Sequence, residues 1–295
     1  MNFIAFLLLV VASVCIGGMA EARKAFQVKN GTGLQTTLAF SAINSVFATI
    51  VCLFFVRQYD FNISRLGLSL IYAAVTVTIS SLCLVGSAWG NVTMLIASAN
   101  LGGLVFPSIY GLISDPQNNK LTIIRVFGFI FALMCIVILI LGDKSDKKNL
   151  KYKISCIIVF LTQGSALIIF SIIDKYFGTK QYFNFMAEYM LISAIILLPL
   201  VFILGKGKHE AKKSKLFTKH NLLFAFIYAV LFFASEFISL KCVSLVPLTF
   251  QAPVSFCIPI IVTSLLERFI YRIKIQKNEW IQIVLAVASC ICFMF

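Results

Sequence analysis

Charge and histidine are what this sequence has least of. Charged residues make up 12% of its 295 positions, and the two histidines, His209 and His220, share one basic stretch. An average soluble domain carries about 25% charged residues. A chain this poor in charge and 60% hydrophobic cannot cover itself with polar surface. That excludes an ordinary soluble domain and a disordered chain. The placement of the histidines excludes a His-based catalytic or metal site in the apolar body. No G-x-x-x-x-G-K-[ST] loop occurs, so direct drive by ATP is not expected. No D-x-x-x-D cluster is present to hold Mg²⁺ for a membrane-embedded transferase, which makes an enzyme the weaker reading. No C-x-x-C pair occurs either. Cys15, Cys52, Cys83, Cys135, Cys156, Cys242, Cys257, Cys290 and Cys292 read as small apolar residues, not as a disulfide framework or a metal site. No cofactor, metal ligand or catalytic residue is expected.

What the sequence has is long apolar runs. A helix needs about 20 apolar residues to cross a bilayer. Ten runs qualify, near 2–20, 35–56, 66–87, 91–114, 121–141, 154–173, 183–204, 221–240, 247–266 and 278–295. They are continuously apolar rather than alternating, so they predict helices and not barrel strands. Only Ala88, Trp89 and Gly90 divide the third from the fourth. Within the first run, Phe3–Val14 followed by Gly17, Gly18, Met19 and Ala20 has some features of a signal peptide. No Lys or Arg precedes it, however, and it has a counterpart later in the chain, so a retained helix is expected.

The chain reads as two related halves, 1–145 and 146–295, of five runs each. Tyr72 in the third run and Tyr228 in the eighth lie 156 residues apart in similar surroundings, and at the same spacing Thr93 meets Thr249 and Ser108 meets Ser264. Lys24-Ala25-Phe26 is matched by Lys175-Tyr176-Phe177, and Gly31-Thr32-Gly33 by Gly178-Thr179-Lys180. An odd number of spans per half turns the second half over relative to the first. The expected fold is therefore an all-α integral membrane protein of ten transmembrane helices, arranged as two inverted five-helix repeats. Inverted repeats build many secondary transporters, with the substrate site near the midplane between them. A scaffold born of duplication is the plainer alternative.

Ten spans as five plus five, in about 300 residues, resembles the drug/metabolite transporter superfamily and in particular its EamA-type members. Halves of that type end with an apolar helix, a short charged turn and a last helix. Here Pro247, Pro253 and Pro259 are followed by Leu266-Glu267-Arg268 and Trp280-Ile281-Gln282. In the first half Pro107 is followed by Ile113-Ser114-Asp115 and then by a helix containing Gly128. The departures are a missing Gly before Glu267, Asp115 in place of Glu, and Leu285 where the first half has Gly128. The resemblance implies alternating-access transport of a small metabolite such as an amino acid, by export or exchange. A lipid-linked sugar flippase on the same fold is the alternative. It also implies a central site lined mainly by spans one to four and six to nine, with five and ten peripheral.

The net charge of +14 would suit a nucleic-acid binder, but the basic residues sit in short connections, which reads as topology. Eighteen of the 25 follow odd-numbered spans and seven, among them Arg57, Arg65, Lys180 and Lys241, fall on the other side. Positive loops stay in the cytoplasm, so the odd loops are expected there, with both termini outside, in the cell (inner) membrane of a bacterium. The basic stretches 143–153 and 205–220 suit anionic headgroups. The partners expected are a small-molecule substrate and the lipid bilayer, without nucleic acid; a homodimer is compatible with the sequence.

Ionisable groups within spans are functional candidates by default. Glu188 and Glu236 lie at similar depth, where they could bind an amine or exchange a proton; pairing with Lys180 or Lys241 is the bland alternative. Asn44, Asn100, Gln163 and Gln251 are costly against lipid and are expected to face the bundle, as ligands or as interhelical hydrogen-bond partners. Tyr72 and Tyr228 could flank a cavity. Gly102, Gly103 and Pro107 in the fourth span, and Pro253 and Pro259 in the ninth, are candidates for helix breaks and hinges, with close helix packing the other reading for the glycines. Asn30, Asn62 and Asn91 match glycosylation sequons by composition only.

Overall fold

In a computed structural model the described residues are 3–30, 34–89, 92–117, 122–141, 150–204, 218–271 and 277–294. Among them the chain forms α1 (Phe3–Asn30), α2 (Leu34–Phe55), α3 (Ile63–Trp89), α4 (Val92–Ser114), α5 (Ile123–Leu141), α6 (Leu150–Phe177), a 3-10 turn (Thr179–Gln181), α7 (Tyr182–Leu204), α8 (Lys219–Val243), α9 (Leu248–Tyr271) and α10 (Lys277–Met294), and no strand. Six of these contain described stretches long and apolar enough to cross a membrane: α1, α2, α3, α6, α7 and α8. Large apolar side chains such as Phe54, Ile113, Ile123 and Phe269 are more than three-quarters exposed. Water would not tolerate that surface over so many helices. The chain is an integral membrane protein. The basic stretches within 142–149 and 205–217, with His209, lie outside the described residues, as do Asn91 and the side chains of Glu267, Arg268, Cys83 and Cys135.

Several helices outrun their apolar stretches. The apolar run stops near residue 20, but α1 continues through Glu21, Arg23 and Lys24 to Asn30. Glu, Ala, Arg, Lys and Gln are good helix formers, so charge ends the apolar run without ending the helix. At about 1.5 Å per residue, the 28 residues of α1 reach well past the roughly 30 Å of hydrocarbon. Helix ends have specific chemistry. Asn62 caps α3, its side-chain oxygen accepting the N–H groups of Ser64 at 3.0 Å and Arg65 at 3.1 Å. Gly178 ends α6 at φ +70°, its N–H donating to the carbonyls of Ile173 and Asp174. That left-handed backbone suits glycine because a Cβ would strain it.

α1 packs on α8 and α9, α2 on α7 and α8, α3 on α6 and α7, α4 on α6 and α9, and α5 on α10. Ala5 and Leu9 are buried in the cluster that also holds Phe250, Val254 and Phe293, so α1 belongs to the core. The largest cluster gathers Tyr72, Phe170, Phe185, Tyr189 and Phe233 from α3, α6, α7 and α8. An amide pair fastens the end of α1 to the start of α8. Asn30 Nδ2 donates to Asn221 Oδ1 at 3.1 Å, and Asn221 Nδ2 to Asn30 Oδ1 at 2.9 Å. Interhelical polar pairs in membranes are worth about 0.6–2 kcal/mol. Asn221→Ala should therefore lower stability in detergent unfolding by about 1 kcal/mol, and Asn221→Gln by less. An unchanged midpoint for Asn221→Ala would show that the pair adds nothing.

The glycine pair of α4 serves close packing. A Cβ on Gly102 would lie 1.9 Å from the backbone oxygen of Phe160 in α6, and one on Gly103 would lie 2.0 Å from the ring of Phe256 in α9. At the candidate hinge positions Gly102, Gly103, Pro107, Pro253 and Pro259 the helix is unbroken, since α4 and α9 run continuously through all five. A proline removes one ladder hydrogen bond, and both helices continue past theirs. None of the five reaches the central cavity.

Candidate functional site

The register of α3 against α7 organises the bundle interior. The two helices run parallel, so Ser69 meets Glu188, Tyr72 meets Tyr189 and Thr76 meets Ser193 in successive layers. The first layer is a closed cluster. Arg65, in the first turn of α3, is fully buried. Its Nε donates to both Glu188 oxygens at 3.1 and 3.2 Å, and its Nη2 to Oε1 at 2.7 Å. Arg65 also donates to Gln181 Oε1 and to the carbonyl of Asp60. Glu188 further accepts the hydroxyls of Ser69 at 2.8 Å and Tyr59 at 3.0 Å. Beside this layer the rings of Phe55, Phe183, Phe233 and Phe237 stack nearly parallel, with centroids 4.8–6.3 Å apart.

One layer deeper, Glu236 Oε2 accepts the hydroxyls of Tyr72 at 2.8 Å and Tyr189 at 3.2 Å. Those two rings meet edge-on at 4.6 Å. Glu236 Oε1 has no protein donor among the described residues. From this layer a cavity of about 270 Å³ extends toward the end of the bundle where α1, α3 and α7 finish. Its walls come from α1, α2, α3, α6, α7 and α8. Asn44 and Gln163 line its middle, with the hydroxyls of Thr76 and Ser193 3.3 Å apart. Asn44 is 7% exposed, and its side-chain oxygen has no hydrogen-bond partner among the described residues. Arg23, Ser41, Ser80 and Tyr228 line the far part. Arg23 has no ion-pair partner among the described residues.

Of the eight candidate side chains, Asn44, Tyr72, Gln163, Tyr228 and Glu236 share this cavity. Glu188 does not: its charge is matched by Arg65, not by Lys180. Asn100 is half-buried on α4, away from the cavity. Gln251 is fully buried and donates from Nε2 to the Ser239 carbonyl at 2.8 Å, a link between α8 and α9. No described side chain of α4 or α9 lines the cavity, which narrows the set of spans expected around it. Arg23, Arg65 and Tyr189 escaped sequence reading. By composition Arg23 and Arg65 read as loop charges. The run of helix formers around Arg23 and the Asn62 cap three residues before Arg65 are the signals that place both inside helices.

No family model and no curated protein matches the chain. Among solved structures 28 chains match. One crystal structure superposes with a TM-score of 0.72 at 12% identity, covering 99% of this chain and 96% of that chain. The likeness is one of fold, over essentially the whole of both chains.

Proposed function

We propose that this chain is a secondary transporter of a small metabolite such as an amino acid, working by alternating access between two inverted five-helix repeats, 1–145 and 146–295. The observation that carries this reading is a cavity lined, among the described residues, by one cation, one carboxylate and neutral polar groups, set between helices of both halves within an apolar exterior. The packing supports the repeat. Exchanging each helix of one half for the helix five places away turns the pair α1–α8 into α6–α3, α1–α9 into α6–α4 and α2–α8 into α7–α3, and each of these pairs is in contact. It returns α2–α7, α4–α9 and α5–α10 to themselves. This relation and the five-plus-five pattern of spans favour the drug/metabolite transporter superfamily, EamA type.

On the charge asymmetry, the end of the bundle toward which the cavity extends is cytoplasmic, and the Arg65–Glu188 layer closes the outer side. Rocking of one repeat against the other would break that layer and form an equivalent closure below the cavity. The reading is tested with purified protein in proteoliposomes loaded with one unlabelled amino acid at a time. Labelled amino acid should accumulate by counterflow in at least one case. Absence of counterflow across an amino-acid panel, by protein that remains folded, would overturn the amino-acid reading. Glu236→Gln should reduce that flux at least about tenfold while leaving membrane insertion and yield unchanged. Wild-type flux in this variant would remove Glu236 from the mechanism.

A further inference from the structure

The central cavity is dipolar. Arg23 and Glu236 lie on α1 and α8, which run antiparallel, and contacts along their length set the register. A Cβ on Gly18 would lie 2.9 Å from Leu231, the Ser235 hydroxyl lies 3.6 Å from Met19 sulfur, and Asn30 bonds Asn221 at 3.1 Å. Arg23 is therefore level with Tyr228, eight residues from Glu236. At about 1.5 Å per residue the two levels are about 12 Å apart. Helical side chains lean toward their own N-terminus. In this antiparallel pair that lean turns the guanidinium and the carboxylate toward each other along the cavity.

Three acceptor or donor groups there have no partner among the described residues. Glu236 Oε2 is fixed by two tyrosine hydroxyls, which leaves Oε1 to accept from something else. Asn44 offers a buried oxygen with no donor among the described residues. Arg23 presents its guanidinium without a carboxylate among the described residues. Both charges are half-buried and face the cavity, and the backbone holds them apart with neutral polar groups between.

We propose that the ligand is a zwitterion lying along this axis, with its ammonium donating to Glu236 Oε1 and its carboxylate on Arg23. It enters with the ammonium leading. The assignment rests on the transport reading of the same cavity but makes a claim about binding alone. Arg23 becomes the anion site, and selection against simple amines and simple acids follows, because each leaves one charge unmatched.

Four five-carbon probes test it on the purified full-length protein by calorimetry. They are L-norvaline and 5-aminopentanoate, which carry both charges, and pentylamine and pentanoate, which carry one each. At least one zwitterion should bind at least about tenfold more tightly than both single-charge probes, a difference of about 1.4 kcal/mol. Glu236→Gln should erase the advantage of that zwitterion over pentanoate, and Arg23→Gln its advantage over pentylamine. Both variants must keep the wild-type helical spectrum and elution volume; a variant that does not is replaced by Glu236→Asp or Arg23→Lys, for which partial loss of the same advantage is expected. Equal binding of a single-charge probe, or no binding of either zwitterion, overturns the proposal. A zwitterion that binds in this pattern but shows no counterflow leaves the proposal standing and overturns transport. Counterflow of a single-charge solute, with neither zwitterion bound, does the reverse.

Discussion

Arg65→Met is expected to destabilise the protein by about 3–5 kcal/mol, the usual cost of leaving one member of a buried ion pair without the other. Arg65 is fully buried and Glu188 almost so. Without the guanidinium, Glu188 keeps only the hydroxyls of Ser69 and Tyr59. Gln181 and the Asp60 carbonyl lose a donor as well. The damage spreads, because this one side chain ties the α2–α3 connection, the 3-10 turn and α7 to α3. Removing both charges is the informative control. Replacing a buried pair by apolar groups is often near neutral, so Arg65→Met combined with Glu188→Met should recover most of the loss. Equilibrium unfolding in mixed micelles measures both. A single variant as stable as wild type would mean that the pair is not desolvated as described. A double variant as unstable as the single would place the cost in the lost hydrogen bonds to the turn and connection.

Gly102→Ala carries the second large effect, for a different reason. Its added methyl group would meet the backbone oxygen of Phe160 at 1.9 Å and the carbonyl carbon at 2.7 Å. A side chain could rotate aside, but a helix backbone cannot, so α4 and α6 must separate. Gly164 meets α4 at the same crossing: a Cβ there would lie 2.9 Å from the Gly102 oxygen. Overpacking costs about 1–3 kcal/mol, and a backbone clash belongs at the upper end. Gly67→Ala is the matched control, since a Cβ there meets nothing within 4 Å. A thermal midpoint for Gly102→Ala no lower than that of Gly67→Ala would show that the two helices do not touch.

The helices were legible because an apolar run near 20 residues long admits little else in a bilayer. Their ends were not. Composition marks where charge begins, whereas the ladder continues through Glu21, Arg23 and Lys24. That single difference moved Arg23 from a loop into a cavity wall. The candidate site was legible in part. A polar residue in an apolar run must face protein, and Asn44, Gln163 and Glu236 do. Which protein they face depends on helix rotation and neighbours, and nothing local to Gln251 tells it to bond the Ser239 carbonyl rather than line a cavity. Glu188 and Glu236 looked alike in sequence because depth was all that could be read. Tyr189 separates them: it follows Glu188 in the chain, yet its hydroxyl binds Glu236.

The layer that joins α3 to α7 also bears on electrical insulation. A membrane that stores a voltage tolerates no continuous file of water through a protein, since protons hop along such a file. Between Glu236 and the far solution stand the Tyr72 and Tyr189 rings, and beside the ion pair stand four stacked phenylalanines. The ion pair itself turns its donors and acceptors inward on Asp60, Gln181, Ser69 and Tyr59. Charged groups usually recruit water, but these are already occupied by one another. The same side chains that fasten two helices together would thus interrupt a proton path through this layer of the bundle.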